Sequence, residues 1–385
     1  MQTSPPPVVP ARSARDVRLD FARGLSMFII FVAHVPANSW FLFIPARFGF
    51  SSAAELFVFC SGLASGYAFG GAYLRTGFRE GTLRVLRRVA QVYGAHLGLI
   101  AGLAGASYIG FWLLKIDYPG LLGMQPLLAD PASGLVDILL LRFVFPYTDI
   151  LPLYIVLLAM IPVVMALAGI SRILVFVGIP GLWLLANLTG LNLQANGAGW
   201  FFNPLAWQLL FFAGFGFGMG WLPAPRLNRG WLFWLCLTGV LVSIPLNFWA
   251  ILEIAPGLDA IREAILPPGN QSFLSPLRFG HFLMLAYVAL VLVDPYRAVL
   301  ARAQPIIRVG QQSLATFITS TVLIWVAGMV LDWTGRDALP TALVNLSGFG
   351  VIIAVAYIAA FLKAPSKRPG NTPPRAAADY SRQVA

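Results

Sequence analysis

Ten stretches of this chain are long and apolar enough to cross a lipid bilayer, and they leave little room for any other architecture. A crossing helix needs about 20 mostly apolar residues. The runs fall at 21–40, 51–72, 89–114, 150–168, 171–190, 204–221, 229–250, 277–295, 311–331 and 340–362. A soluble chain of 385 residues would ordinarily split into domains. Here hydrophobic residues make up 58% and charged residues only 11%. A water-facing surface needs roughly a quarter of its residues charged. Lipid must therefore be the solvent for much of this surface, and the sequence predicts an all-α, polytopic transmembrane helical bundle of about ten spans.

The stretch 134–145 is shorter and carries Asp137 and Arg142, which suits an interfacial or re-entrant helix. Two cysteines, Cys60 and Cys236, lie inside apolar runs and suggest no disulfide framework. Three scattered histidines make a poor metal site, and no P-loop, dinucleotide fingerprint or HExxH motif is present. No metal and no tightly bound cofactor is expected. The first apolar run is too long for a cleaved signal peptide and reads as the first span.

The formal net charge of +11 invites a nucleic-acid reading, but its placement fits membrane orientation. With the N-terminus in the cytoplasm, nineteen Lys and Arg fall inside, six fall outside, and Arg23 lies within span one. Residues 1–18 then form a cytoplasmic tail, 19–363 a transmembrane domain, and 364–385 a Pro-rich, disordered cytoplasmic tail. The chain is expected to cross a membrane many times, with lipid as partner and no nucleic acid. A homo-oligomer is left open.

An ionisable side chain inside a span is costly and is a functional candidate by default. Span one carries Asp20, Arg23 and His34. Eleven residues separate Arg23 from His34, which is three helical turns plus about 20°. Both therefore face one way, about 16 Å apart along the axis. Asp20 is close enough to pair with Arg23. Plainer roles are a snorkelling anchor for Arg23 and an interhelical hydrogen bond for His34. In span two, Glu55 sits at the depth of His34 and is expected to orient its imidazole. Its plainer reading is a solvated interfacial acid.

Other groups gather at the outer ends of spans: Asp149 and Tyr154, then Trp200, Asn203, Trp207 and Gln208, then Arg278 and His281. Aromatic faces and amides there suit a carbohydrate. They equally suit an interfacial aromatic belt and helix-to-helix bonding. On the inner side, Arg84, Arg87 and Arg88, with Arg308 and Gln311, suit a phosphate-bearing ligand or simply obey the positive-inside rule. His96 in span three suggests no specific role.

Arg23 followed by ten residues and then His34 is similar to the signature of membrane acyltransferase family 3. The segment Phe57-Val58-Phe59-Cys60-Ser61-Gly62 looks like its Phe-rich second span. More closely, the chain resembles the OpgC family, which succinylates osmoregulated periplasmic glucans. The pieces that carry this are Arg18-Leu19-Asp20-Phe21 to Gly24, His34-Val35-Pro36, and Phe48-Gly49-Phe50 through Phe59. Asp149-Ile150-Leu151-Pro152-Leu153-Tyr154, Trp200 to Gln208, Pro276 to Leu283 and Gly310 to Leu314 extend it over nearly the whole chain. Gln312 stands where many relatives hold a histidine.

The resemblance implies an acyl-CoA-dependent O-succinyltransferase, with succinyl-CoA as cytoplasmic co-substrate and periplasmic glucan as acceptor. It implies His34 as the catalytic residue and Arg23 on the donor side. On that reading Asp20, Arg84, Arg87, Arg88, Arg308 and Gln311 join Arg23 around the donor. Arg278, then Arg142, would hold the acyl carboxylate. Asp149, Tyr154, Trp200, Asn203, Trp207, Gln208 and His281 would line the acceptor site. An O-acetyltransferase for another glycan and a transporter for an acidic solute are the alternatives.

Overall fold

The computed structural model describes residues 16–266 and 269–363. Apart from residues 16–18, the two tails expected from the sequence lie outside the described residues. Each of the ten apolar runs falls on a helix: α1 (Val17–His34), α2 (Ala53–Ser65), α3 (Gly71–Leu114), α4 (Ile150–Ile170), α5 (Arg172–Thr189), α6 (Pro204–Gly218), α7 (Trp231–Ser243), α8 (Pro276–Val293), α9 (Ser313–Thr334) and α10 (Ala338–Lys363). Among the described residues, six helical segments are long and apolar enough to cross a membrane. The first of these, Ala53–Leu114, joins α2 and α3 through a π-helical turn, Gly66–Gly70. Gly77 breaks its course at φ 84° and ψ 176°, backbone that an L side chain rarely adopts. The remaining three runs fall short for physical reasons. Helix α1 carries Arg18, Asp20 and Arg23 in 18 residues, while α6 and α7 have only 15 and 13 residues.

Helix starts follow local chemistry. Asp16 caps α1 by accepting from the Arg18 amide at 2.9 Å, and Arg18 reaches Asp294 at 2.7 Å, tying this end to the end of α8. Helix α2 opens with a capping box, Ser52-x-x-Glu55, in which both side chains serve backbone amides. The stretch 134–145 contains the end of a short helix, Pro131–Leu139, after which the chain turns through Leu141 at φ 58°. It is not long enough to span.

Small residues set the closest helix contacts. A Cβ on Gly62 of α2 would lie 1.9 Å from the Phe211 carbonyl oxygen of α6, and one on Gly214 would lie 2.3 Å from that of Phe59. The two helices thus meet backbone to backbone through reciprocal glycines, Gly62 and Gly66 against Gly214 and Gly218. Helix α1 meets the short helix Gln304–Gln311 in the same way, through Gly24 against Ile306 and Gly310 against Asp20.

Helices α1 and α9 run side by side in the same direction. Arg23 donates to the Ser313 hydroxyl at one end, and at the other Pro36 packs on Gly328. Phe31 of α1 packs at the core against Phe349 of α10, and Asn38 and Asn345 exchange buried amide hydrogen bonds at 2.8 and 3.1 Å. The α1–α9 pair positions the site described next.

Candidate functional site

His34 is the last residue of α1, where the helix ends and the chain turns through Val35 and Pro36. Its Nδ1 lies 2.7 Å from the Ile30 carbonyl oxygen, one turn back. A carbonyl can only accept, so Nδ1 carries the proton in the neutral ring. Nε2 is then left with its lone pair, the form a general base requires. No other hydrogen bond engages the ring among the described residues. The ring of Tyr147 meets the imidazole edge-on at 4.7 Å between centroids, and Trp325 lies 6.5 Å beyond Tyr147. Tyr147 holds φ 67°, a strained setting for an aromatic residue. Neither aromatic residue was marked by the sequence. Each reads there as one ring among many, and only a backbone angle and a through-space contact single them out.

The expected orienting contact from Glu55 to His34 is corrected by the structure. Glu55 is fully buried, and its carboxylate is spent elsewhere. Oε2 accepts from the Ser52 amide at 2.8 Å and hydroxyl at 2.7 Å, while Oε1 accepts from Arg278 Nε at 2.8 Å and Nη2 at 2.5 Å. The Ile30 carbonyl performs the orientation instead. The Ser-x-x-Glu spacing was a legible sign of a capping carboxylate. Arg278, 9% exposed, gives its Nε and Nη2 to Glu55 and also lines the polar cleft described below. Arg142 is exposed.

At the other end of the α1–α9 seam, Arg23 donates to Ser313, and its buried Nε has no partner among the described residues. Asp20, Tyr154 and Arg88 lie within its electrostatic reach. Gln311 joins this group by donating to Asp20 Oδ2 at 3.1 Å and accepting from Arg308 at 3.4 Å. Arg308 rests its guanidinium on the Tyr357 ring at 5.8 Å. Asp20, Arg23, Arg308 and Gln311 thus converge from two helices, α1 and Gln304–Gln311, with Arg88 of α3 nearby. Arg84 and Arg87 are exposed along α3, about two and three turns past the Gly77 break. Ser313 completes the cluster. The sequence hid it because a lone serine opening an apolar run looks like an ordinary helix start.

The group expected at the acceptor side divides. Trp207, Gln208 and Asn203 are fully buried. Trp207 donates to the Gln271 carbonyl at 2.9 Å, and Gln208 to that of Ile179 at 2.7 Å. Asn203 caps α6 and donates to the Leu191 carbonyl at 2.7 Å. His281 is clamped between Ser51 at 2.8 Å and Ser243 at 3.0 Å. These four bond inside the bundle through Trp207 Nε1, Gln208 Nε2, both ends of the Asn203 amide and both His281 nitrogens, and only Gln208 Oε1 is buried without a partner among the described residues. Tyr154, in the first turns of α4, packs edge-on against Phe211 at 6.2 Å. Trp200 is buried beside Val144 and Ala195. Asp149 is half-buried at the start of α4, two residues past Tyr147.

A polar cleft of 320 Å³ opens above the Glu55–Arg278 pair, lined among others by Ser51, Ser52, Asn247, Arg262, Glu263 and Gln271. No group of three or more metal-ligating side chains occurs among the described residues.

The model of the family described as OpgC protein matches residues 15–364. The chain belongs to the OpgC family. At the level of that family, membership implies a glucan-modifying acyltransferase, and the apolar helices make this member a multi-pass membrane protein. Neither the curated proteins nor the solved structures include a match.

Proposed function

We propose that this OpgC-family chain is a membrane O-succinyltransferase, moving a succinyl group from cytoplasmic succinyl-CoA to a hydroxyl of periplasmic glucan. The observation that carries the reading is the polarity of the α1–α9 seam. It has a cationic cluster at Arg23, Ser313 and Arg308 and a tautomer-fixed imidazole at His34, about 16 Å further along α1. In this reading the ten helices are ten spans, and both termini face the cytoplasm of a bacterial inner membrane. The basic residues assigned inside by the charge bias include Arg84, Arg87, Arg88 and Arg308.

A polyanionic nucleotide cannot enter lipid at tolerable cost. The arginines hold its phosphates by charge-assisted hydrogen bonds. The pantetheine arm then carries the thioester along the seam to His34. The acceptor hydroxyl enters from the other side. Its oxygen attacks the thioester carbonyl while His34 Nε2 takes its proton. The carbon–oxygen bond forms, the carbon–sulfur bond breaks, and the imidazolium returns the proton to the leaving thiolate. In the two-step alternative, His34 Nε2 attacks the thioester carbonyl first, the thiolate leaves, and the acceptor hydroxyl then takes the acyl group from the imidazole and gives up its proton. The cleft lined by Asn247, Arg262 and Glu263 offers amide and charged groups to a glucan. Asp149, beside the Tyr147 loop, is kept as an acceptor-side residue.

The test uses purified full-length protein with succinyl-CoA and glucan, following CoA release and glucan mass. Wild type should release CoA only with glucan present. His34→Ala should lower the rate by about 10²–10⁴-fold. Wild-type rates in that variant would overturn the role of His34. Transfer of acetyl in preference to succinyl would favour the acetyltransferase alternative, and solute uptake without CoA release would favour a transporter.

A further inference from the structure

Of the buried polar atoms without a partner among the described residues, two stand on α9 along the seam that the proposed reaction uses. These are the Ser320 hydroxyl and the Trp325 indole nitrogen, in residues 1% and 9% exposed. Ser320 is seven residues past Ser313, two turns on and on the same face. Trp325 is a further five residues on, at the level where α1 ends, as the Pro36–Gly328 contact three residues beyond it shows. Its ring neighbours Tyr147, whose ring in turn lies against His34.

An indole N–H can only donate. A buried donor without an acceptor is unfavourable and calls for an explanation. Trp183 donates to the Leu274 carbonyl at 3.0 Å and Trp207 to that of Gln271, whereas the indole nitrogens of Trp200 and Trp249 share the want of a partner among the described residues, Trp200 packed by Val144 and Ala195 and Trp249 by Phe248. Trp325 has none, and of these three its ring is the one that neighbours Tyr147, whose ring meets the imidazole. A thioester carbonyl attacked by a hydroxyl builds negative charge on its oxygen. A preformed N–H donor in a water-poor site stabilises that charge without having to reorganise.

We infer that the Trp325 indole N–H donates a hydrogen bond to the acyl carbonyl oxygen of the thioester and strengthens it as the oxygen becomes anionic. This rests on the acyl-transfer reading above. Tyr147 packs between base and donor and sets their spacing. Ser320 offers a hydroxyl on the way from Arg23.

Two measurements test it. In kinetics, Trp325→Phe keeps a ring and removes the donor. It should lower kcat by about a hundredfold, leave KM for succinyl-CoA within threefold, and be partly rescued by Trp325→His, which restores a ring N–H. In infrared spectroscopy, succinyl-CoA labelled with ¹³C at the thioester carbonyl is bound to His34→Ala protein, which leaves it unreacted. The carbonyl band should move to lower frequency on binding, and adding Trp325→Phe should remove that shift. An unshifted band in the His34→Ala protein overturns the inference without any Trp325 variant being needed. So does wild-type kcat in Trp325→Phe. If wild type itself transfers no acyl group, the functional reading fails and the inference with it. If wild type is active and Trp325→Phe matches it, only the inference fails.

Discussion

At the scale of single residues, the structure separates groups that do chemistry from groups that hold the fold. Glu55 and Arg278 form a buried ion pair in which every carboxylate contact is satisfied. Removing one member strands the other charge, at about 3–5 kcal/mol, whereas replacing both with apolar residues of similar volume is often close to neutral. Glu55→Leu and Arg278→Met should therefore each unfold the purified protein at markedly lower denaturant, and the double variant should recover most of the loss. Additive losses would show that the two act independently. His34→Ala should behave oppositely, with native-like denaturation and lost transfer, because its one hydrogen bond runs to the backbone of its own helix.

Among elements, the α2–α6 crossing is the most demanding. With Gly62 so close to the Phe211 carbonyl oxygen, even one methyl group forces the helices apart. Overpacking of this kind typically costs about 1–3 kcal/mol. Gly98 on α3 meets nothing within 4 Å. Alanine there relieves a mid-helix glycine and should stabilise by about 0.5–1 kcal/mol. Thermal unfolding of Gly62→Ala and Gly98→Ala should therefore shift in opposite directions. A loss of stability in both would mean that α3 is packed at Gly98 by a surface outside this chain.

For the whole molecule, the prediction concerns topology. Cys60 and Cys236 are both buried, so single cysteines placed in loops report with little background. With ten spans and cytoplasmic termini, a cysteine at Lys115 or Asp337 should react with a membrane-impermeant thiol reagent from the periplasm. One at Arg79 or Gln304 should be protected in intact cells. Protection of Asp337 together with reactivity at Gln304 would invert the orientation drawn from nineteen inside and six outside basic residues.

How much of this was legible in advance depends on the range of the interaction that decides it. Helix positions were readable because a membrane helix satisfies its own backbone, so a local apolar run is sufficient cause. The shared face of Arg23 and His34 was readable because helical geometry is also local. The family resemblance was readable from segments in chain order, and the family match over residues 15–364 agrees with it. What the sequence left open was which polar groups near His34 are already taken. Glu55 and His34 matched in depth, but a carboxylate is claimed by whichever donors packing brings nearest, here Ser52 and Arg278. Trp207, Gln208 and His281 resembled a sugar site for the same reason, and tertiary contacts engage the Trp207 indole, the Gln208 amide nitrogen and both His281 nitrogens. Composition and periodicity thus determined a helical membrane protein with a charged, histidine-bearing first helix. Only the tertiary structure decided that the Ile30 carbonyl fixes the imidazole, that Ser313 meets Arg23, and that Tyr147 and Trp325 stand at the imidazole end. Those contacts join residues that are distant in the chain or turn on a single backbone angle, and no linear spacing encodes them.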